Sequence, residues 1–411
     1  MLAVVISHPT QYYSPWFRHI SAQGSVELRV YHLWDFGVET RYDRQFEQAF
    51  VWDIPLLDGY WSTLVANRSR DPGTHWYGGL DNPELVELLV DAQPDAIVLF
   101  GYAYLSHLRV IMSPRLARVP LLLRGDSHDL ARNSGWRTRA SRMARRLLFK
   151  RFSGFLAVGC ANTEYFRNCG VPRSRIHVVP HCVDNQRFRD AGEEASREAA
   201  DWRAERGIPT TAAVIVFAGK FEMKKRPMDL LAAFLRLEAG QERSGGCDAA
   251  LLFVGGGALE EELRRMAGDR LGNSVFFAPF QNQTQMPKVY SVGDVFVLPS
   301  CGDGETWGLA VNEAMNLGLT CVVSTHVGCG RDLVRHGDTG WIFQAGNVDA
   351  LTKVLALALD SGPQERARMG AKARQHIDAY SYEVATAALL DTLTRVGVDV
   401  PDGTSARRPS T

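Results

Sequence analysis

The chain has 411 residues, more than one hydrophobic core usually spans, so its length predicts two domains. Apolar residues make up 45% and charged residues 22%, and Lys plus Arg equals Asp plus Glu at 46 each, which argues against a chain built to coat nucleic acid. The seven cysteines form no CxxC pair, which argues against a zinc knuckle or a thioredoxin-type site and predicts reduced thiols in a cytosolic protein.

The opening "MLAVVISHPTQYY" has no basic leader and reads as a first strand with its loop, not a signal peptide. No apolar run is long enough to span a bilayer. Strands are predicted at 2–7, 26–33, 95–101, 120–125, 154–159 and 176–180, with room for crossover helices between several of them. That rhythm is the one of an open parallel sheet with helices on both faces. The loop after the first strand, "SHPTQYYSPWFRHI", offers His8, Thr10, Gln11 and Tyr12. His8 reads as either a local cap or a contact. After the strand at 120–125, "LLLRGDSHDL" offers Asp126 and His128.

The stretch 131–152, "ARNSGWRTRASRMARRLLFKRF", is strongly basic, with Trp136, Met143 and Leu147 on one face. It reads as a helix with a solvated basic face, or as a surface that could rest on an anionic membrane. Asn162 is a candidate cap for the next helix and Gly170 its stop. Asp184 is a candidate for fixing a hinge. The polar, Ala-rich segment 189–211 reads as an interdomain connection with a surface helix.

A second series of strands follows at 212–220, 249–257, 274–280, 294–300, 320–324 and 340–343. Two such series predict two Rossmann-like, doubly wound α/β domains facing across a cleft, with ligands near the carboxyl ends of the strands. The domains are placed at 1–188 and 212–380, with a last helix at 381–396 turning back toward the first domain and a disordered tail at 397–411.

Three strand-to-helix junctions of the second half carry candidate chemistry. In "FAGKFEMKKRPMDLLAAF", Gly219 ends a strand and Pro227 suits a helix start, with Lys220, Lys224, Lys225 and Arg226 between them. Cations beside a helix N-terminus make an anion site, or a solvated basic turn. The Gly triplet of "LLFVGGGALEEELRR" reads as a tight-packing junction. In "VFVLPSCGDGETWGLAVNEAM", the helix is predicted to start near Thr306 to Gly308. Glu305 and Glu313 would then lie roughly 12 Å apart along it, too far for a common metal and suited to two ends of one ligand. Trp307 either packs or shapes the ligand's pocket.

Gly219-Lys220, then Lys225, Pro299-Ser300, Glu305 and Glu313 with Gly308 between, in this order and spacing, resemble the donor domain of retaining glycosyltransferases of the GT-B fold, family-4 type. The likeness continues through "AMNLGLTCVVSTHVGCGRDLVRHGDTGWIF" and is looser in the first half, where the usual Gly-rich first loop is missing. The resemblance implies a hexosyltransferase that moves a sugar from a UDP- or GDP-sugar to an acceptor hydroxyl with retention of configuration. Lys220 and Lys225 would neutralise the diphosphate, Glu313 would accept from the ribose, and Glu305 would hold the donor sugar. Thr306, Trp307, Gly308 and Leu309 would present backbone N–H groups, and Phe280 and Gln281 would face the base. Asp126 or His128 would line the reaction centre, and His8, Thr10, Gln11 and Tyr12 would lie on the acceptor side. Neither a cofactor nor a metal is implied. The expected partners are the nucleotide-sugar and a glycan, lipid-linked or small-molecule acceptor. Competing readings are an epimerase or phosphorylase on this fold, or a non-catalytic sugar-binding protein.

Overall fold

The computed structural model describes residues 1–43, 48–131, 136–240 and 248–400. Its strands are β1 (Leu2–Ile6), β2 (Leu28–His32), β3 (Arg41–Asp43), β4 (Gln48–Phe50), β5 (Trp61–Leu64), β6 (Ala96–Phe100), β7 (Leu121–Gly125), β8 (Gly154–Ala157) and β9 (Ile176–Val178) in the first half. The second half adds β10 (Ala213–Lys220), β11 (Ala249–Gly256), β12 (Val275–Ala278), β13 (Val295–Leu298), β14 (Thr320–Ser324) and β15 (Gly340–Phe343). Two parallel sheets result, ordered β5-β2-β1-β6-β7-β8-β9 and β12-β11-β10-β13-β14-β15. Both switch direction beside their first central strand, which opens a crevice at the carboxyl ends.

Burial on both faces explains the continuous apolar runs. Ala213, Ile215 and Phe217 of β10 enter one core, while Val214, Val216 and Ala218 enter the other. The first sheet alternates likewise, with Ala3 and Val5 on one side and Leu2, Val4 and Ile6 on the other.

Several expectations need correction. The stretch between β2 and β6 holds an edge strand, β5, and an antiparallel pair, β3 with β4, that periodicity did not reveal. In segment 189–211 the helix Gly192–Glu205 is buried along one face: Ala195 is enclosed, and Ala199 and Trp202 join the second domain's core, because an Ala-rich face with one Trp is itself amphipathic. Asn162 does not cap the helix Cys160–Asn168; its Oδ1 accepts from Val158 N–H inside the turn. The cap comes from Asp332, whose two oxygens accept from Cys160 N–H at 3.0 Å. Asp184 caps the helix Asn185–Asp190 through Arg187 N–H. Val398 is buried, so the packed chain runs past 397, and 401–411 lies outside the described residues. The side chain of Trp136 also lies outside them, while Met143 and Leu147 are exposed. No described helix is long and apolar enough to cross a membrane.

The closing helix Tyr382–Arg395 belongs to the first domain's packing. Tyr382, Ala385, Leu389 and Leu393 join the core on the β1 side. Trp16 donates its indole N–H to Thr386 Oγ1 at 2.9 Å.

Candidate active site

A cavity of about 460 Å³ lies between the carboxyl ends of the two sheets. Each wall is built by loops that leave a strand and enter a helix.

On the second domain's wall, β10 ends at Gly219-Lys220 and a turn, Met223–Lys225, leads into the helix Pro227–Glu238. Pro227 sits in its first turn, where a missing N–H costs nothing. The next junction runs from β13 to the helix Leu309–Asn316, with Gly308 as its cap. The helix therefore starts after Glu305 through Trp307, later than predicted, because Gly308 takes φ +100, which an ordinary side chain resists. Glu305 thus stands on a loop while Glu313 lies one helix turn inside, and both carboxylates line the same cavity. Cys301 N–H donates to Lys224 C=O at 2.8 Å, which joins the two junctions.

Their side chains meet. Lys225 pairs with the Glu305 carboxylate, whose Oε2 also accepts from Ser300 Oγ at 2.9 Å. Lys224 pairs with Glu222 at 3.1 Å. Glu313 is 2% exposed and accepts from Tyr290 Oη at 2.7 Å. Its Oε1 is buried with no hydrogen-bond partner. Burial lifts its carboxyl above the usual range, against the pull of Tyr290, Arg187, Tyr12 and Gln283. Glu313 thus borders the cavity as a buried carboxylate with acceptor capacity to spare, among the polar side chains of Tyr290, Tyr12 and Gln283.

The first domain supplies the other wall. His8, Thr10, Gln11 and Tyr12 line it from the loop after β1. Burial, with the Lys220 cation beside it, lowers His8 to about 4, so its imidazole is neutral at physiological pH. Tyr12 is pushed well up by burial and by the Glu313 carboxylate. Asp126 lines the cavity and accepts from Thr306 Oγ1 across the cleft at 2.6 Å. His128 does not line it. That ring lies beneath, 2% exposed, with Nε2 3.1 Å from the Glu305 carbonyl oxygen. Of the two, Asp126 therefore borders the cavity, while His128 contacts the backbone of the loop that carries Glu305.

Phe280, Gln281, Thr306, Gly308 and Leu309 all border the cavity. So does Trp307, but its ring packs: it is 3% exposed, donates to Asn312 Oδ1 at 2.8 Å and lies over Gly159 of the first domain. Sequence reasoning missed Tyr290, His181 and the aromatic set Phe36, Phe50 and Trp52, all of which line the cavity. It missed His326 too, whose Nδ1 accepts from Gly302 N–H at 3.2 Å. No signal marked Tyr290, which sits in an ordinary amphipathic segment. Among the described residues, no three His, Cys, Asp or Glu side chains stand close enough together to hold a metal ion.

Comparison with known proteins agrees with this geometry. Residues 198–376 match the family model for glycosyl transferases group 1, and residues 14–182 match that for the glycosyl transferase 4-like domain. The chain belongs to the group 1 glycosyl transferases of the GT-B fold. It is 32% identical over 240 residues to a D-inositol 3-phosphate glycosyltransferase of Streptomyces avermitilis, covering 56% of this chain and 49% of that protein. It is 30% identical over 209 residues to a phosphatidyl-myo-inositol mannosyltransferase of Mycolicibacterium smegmatis, covering 50% of this chain and 52% of that one. The chain thus spans about half the length of the curated relatives it matches. Among solved structures, a glycosyltransferase of Rickettsia africae superposes with a TM-score of 0.71 at 13% identity, covering 97% of this chain and 99% of that one. Anabaena HepE in complex with UDP-glucose gives 0.67 at 18% identity, covering 96% and 99%.

Proposed function

We propose that the protein transfers a sugar from a UDP- or GDP-sugar to an acceptor hydroxyl with retention of anomeric configuration, in glycan or glycolipid synthesis. The observation that carries this reading is the pairing, in one cavity, of a lysine-bearing loop with Glu305 and with the orphaned Oε1 of buried Glu313. Lys220 and Lys225 face the diphosphate, Glu313 accepts from the ribose, and Glu305 holds the donor sugar. The backbone N–H groups from Thr306 to Leu309 complete an anion cradle at a helix start. Phe280 and Gln281 face the base. The bond from the anomeric carbon to the diphosphate oxygen breaks, and its electron pair leaves with the nucleoside diphosphate. Charge develops there, and fixed cations stabilise it most in that state. A bond from the anomeric carbon to the acceptor oxygen forms on the same face, and the acceptor proton passes to the departing phosphate. Asp126 supports the positive charge that develops on the sugar. Family membership supports retention, and the relatives' names support a lipid-linked or polyol acceptor class.

A donor-hydrolysis screen over UDP- and GDP-sugars tests the reading. Glu305→Ala and Lys225→Ala should each lower turnover about a hundredfold or more, the loss typical of a removed charge-stabilising group. Unchanged turnover in both would remove these residues from the site, and an inverted anomer in the product would overturn retention.

The exposed Met143 and Leu147, beside exposed Arg146 and Lys150, fit a further part of this reading: peripheral contact with an anionic membrane that carries the acceptor. Co-sedimentation with anionic but not neutral vesicles, lost in Met143→Ser with Leu147→Ser, is the expected result. Equal recovery with both vesicles would refute it.

A further inference from the structure

A second cavity, of about 860 Å³, lies beside the helix Asn185–Asp190, where the chain first crosses between the domains. It shares no lining residue with the active-site cavity. Among the described residues, four arginines line it against one carboxylate, that of Asp294. Arg189 comes from the crossing helix, Arg197 from the helix Gly192–Glu205, and Arg366 and Arg374 from the helix Gly362–His376.

The main acceptors on these walls are already engaged. Asp294 Oδ2 accepts from Val214 N–H at 2.8 Å, and Asn316 Oδ1 accepts from Arg189 Nε at 3.1 Å. The helix Leu309–Asn316 ends here, but its last carbonyls are covered. Ala314 C=O accepts from Leu317 and Leu319 N–H, and Met315 C=O accepts from Gly318 N–H. The donors are in surplus. Arg366 is 6% exposed; its Nη1 donates to Ala358 and Leu359 C=O, while its Nε is buried with no partner. Ser291 Oγ, on the same cavity, is also buried with no partner. Arg189 is satisfied by an ion pair with Asp378 at 2.6 Å and serves to fix the wall. Among the described residues, Arg197, Arg366 and Arg374 pair with no carboxylate. A cavity with spare donors and occupied acceptors calls for a ligand made of acceptor oxygens.

Charge and shape narrow the class. Guanidinium forks match oxyanions, and a phosphate group brings up to about two charges and three acceptor oxygens in a small volume. The first turns of two long helices, at Gly192 and Pro363, also border the cavity and add their positive ends. Arg366 is sunk in the wall, within reach of a small soluble ligand and out of reach of a headgroup held in a bilayer.

We propose that this cavity binds a small soluble polyanion of the di- or triphosphate class, held by Arg197, Arg366 and Arg374 with Ser291. The site is separate from the cavity in which transfer is placed and rests on no part of the donor reading.

Calorimetric titration of the full chain with inorganic triphosphate tests this. Triphosphate can also enter the lysine-bearing cavity, so the titration is repeated on Lys225→Ala. Saturable binding should persist in Lys225→Ala, and adding either Arg197→Ala or Arg374→Ala should raise its Kd about tenfold, as expected for one lost charge-assisted contact. Both arginines are exposed, so melting temperatures without ligand should match the parent and confirm that the variants fold. Four results overturn the proposal. The first is no saturable binding in Lys225→Ala. The second is a Kd that both arginine substitutions together leave unchanged. The third is citrate binding more tightly than triphosphate, which would make this a carboxylate site. The fourth is loss of co-sedimentation with phosphatidylglycerol vesicles in Arg197→Ala with Arg374→Ala, which would make it a lipid-facing surface.

Discussion

Glu313 concentrates the tension between stability and function in one side chain. It is fully enclosed, yet only one of its oxygens has a hydrogen-bond partner. Burial raises its folded-state value above the ordinary 4.5. The protonated carboxyl is thus favoured in the fold, and its contribution to stability is full below about pH 4.5 and is lost as pH rises through the raised value. Glu313→Gln stays neutral at every pH. Its melting temperature, relative to wild type, should therefore climb from acid toward neutral pH. Donor affinity should fall roughly tenfold or more in the same variant, because a charged acceptor of hydroxyl donors is worth about 1.5–3 kcal/mol. A pH-independent offset in melting temperature, or unchanged donor affinity, would refute the assignment. Glu305 differs: Lys225 and Ser300 hold it, so its geometry is set before any ligand arrives.

The element that sets this geometry is a pair of loops. The turn 305–307 is bonded to the strap after β14 through Gly328 N–H to Glu305 C=O at 3.1 Å and Cys329 N–H to Trp307 C=O at 2.8 Å. A Cβ on Gly328 would sit 1.8 Å from the Thr306 carbonyl oxygen, so Gly328→Ala must displace the backbone beside Glu305. The expected cost is about 1–3 kcal/mol of stability, typical of overpacking, with donor KM raised well below the melting temperature. Wild-type donor KM in Gly328→Ala would show that the strap does not position the site. Of these elements, the strands and the two glutamates were legible in the sequence, because buried parallel strands are continuous apolar runs and the Lys-Glu-Glu order falls on two strand-to-helix junctions. The cap that Asp332 places on the helix Cys160–Asn168 was not, since its partners lie 172 residues apart. Nor were β3 to β5: short, half-exposed "WSTL" carries no apolar run, and an excursion that packs aromatic rings across a cleft has no period to read.

At the scale of the whole molecule, the chain crosses between domains twice, at the helix Asn185–Asp190 and again before Tyr382–Arg395. The second crossing returns the end of the chain to the first sheet, where Leu389 and Leu393 pack with Val4, Val98 and Leu122. Tyr382 Oη donates to Tyr12 C=O at 3.2 Å, so this helix also braces the loop that faces the cavity. The first domain is therefore incomplete without residues that follow the second. Leu389→Ala should cost about 2–5 kcal/mol, the usual range for a fully buried leucine. The loss should be local, since the second domain's cores take nothing from this helix. Amide exchange in Leu389→Ala should quicken in β1, β6 and β7 while β10, β13 and β14 keep their protection. Equal quickening in both sheets would mean that the two domains unfold as one unit, and then the ties across the cleft, not the returning helix, would govern the stability of the loop that holds Tyr12.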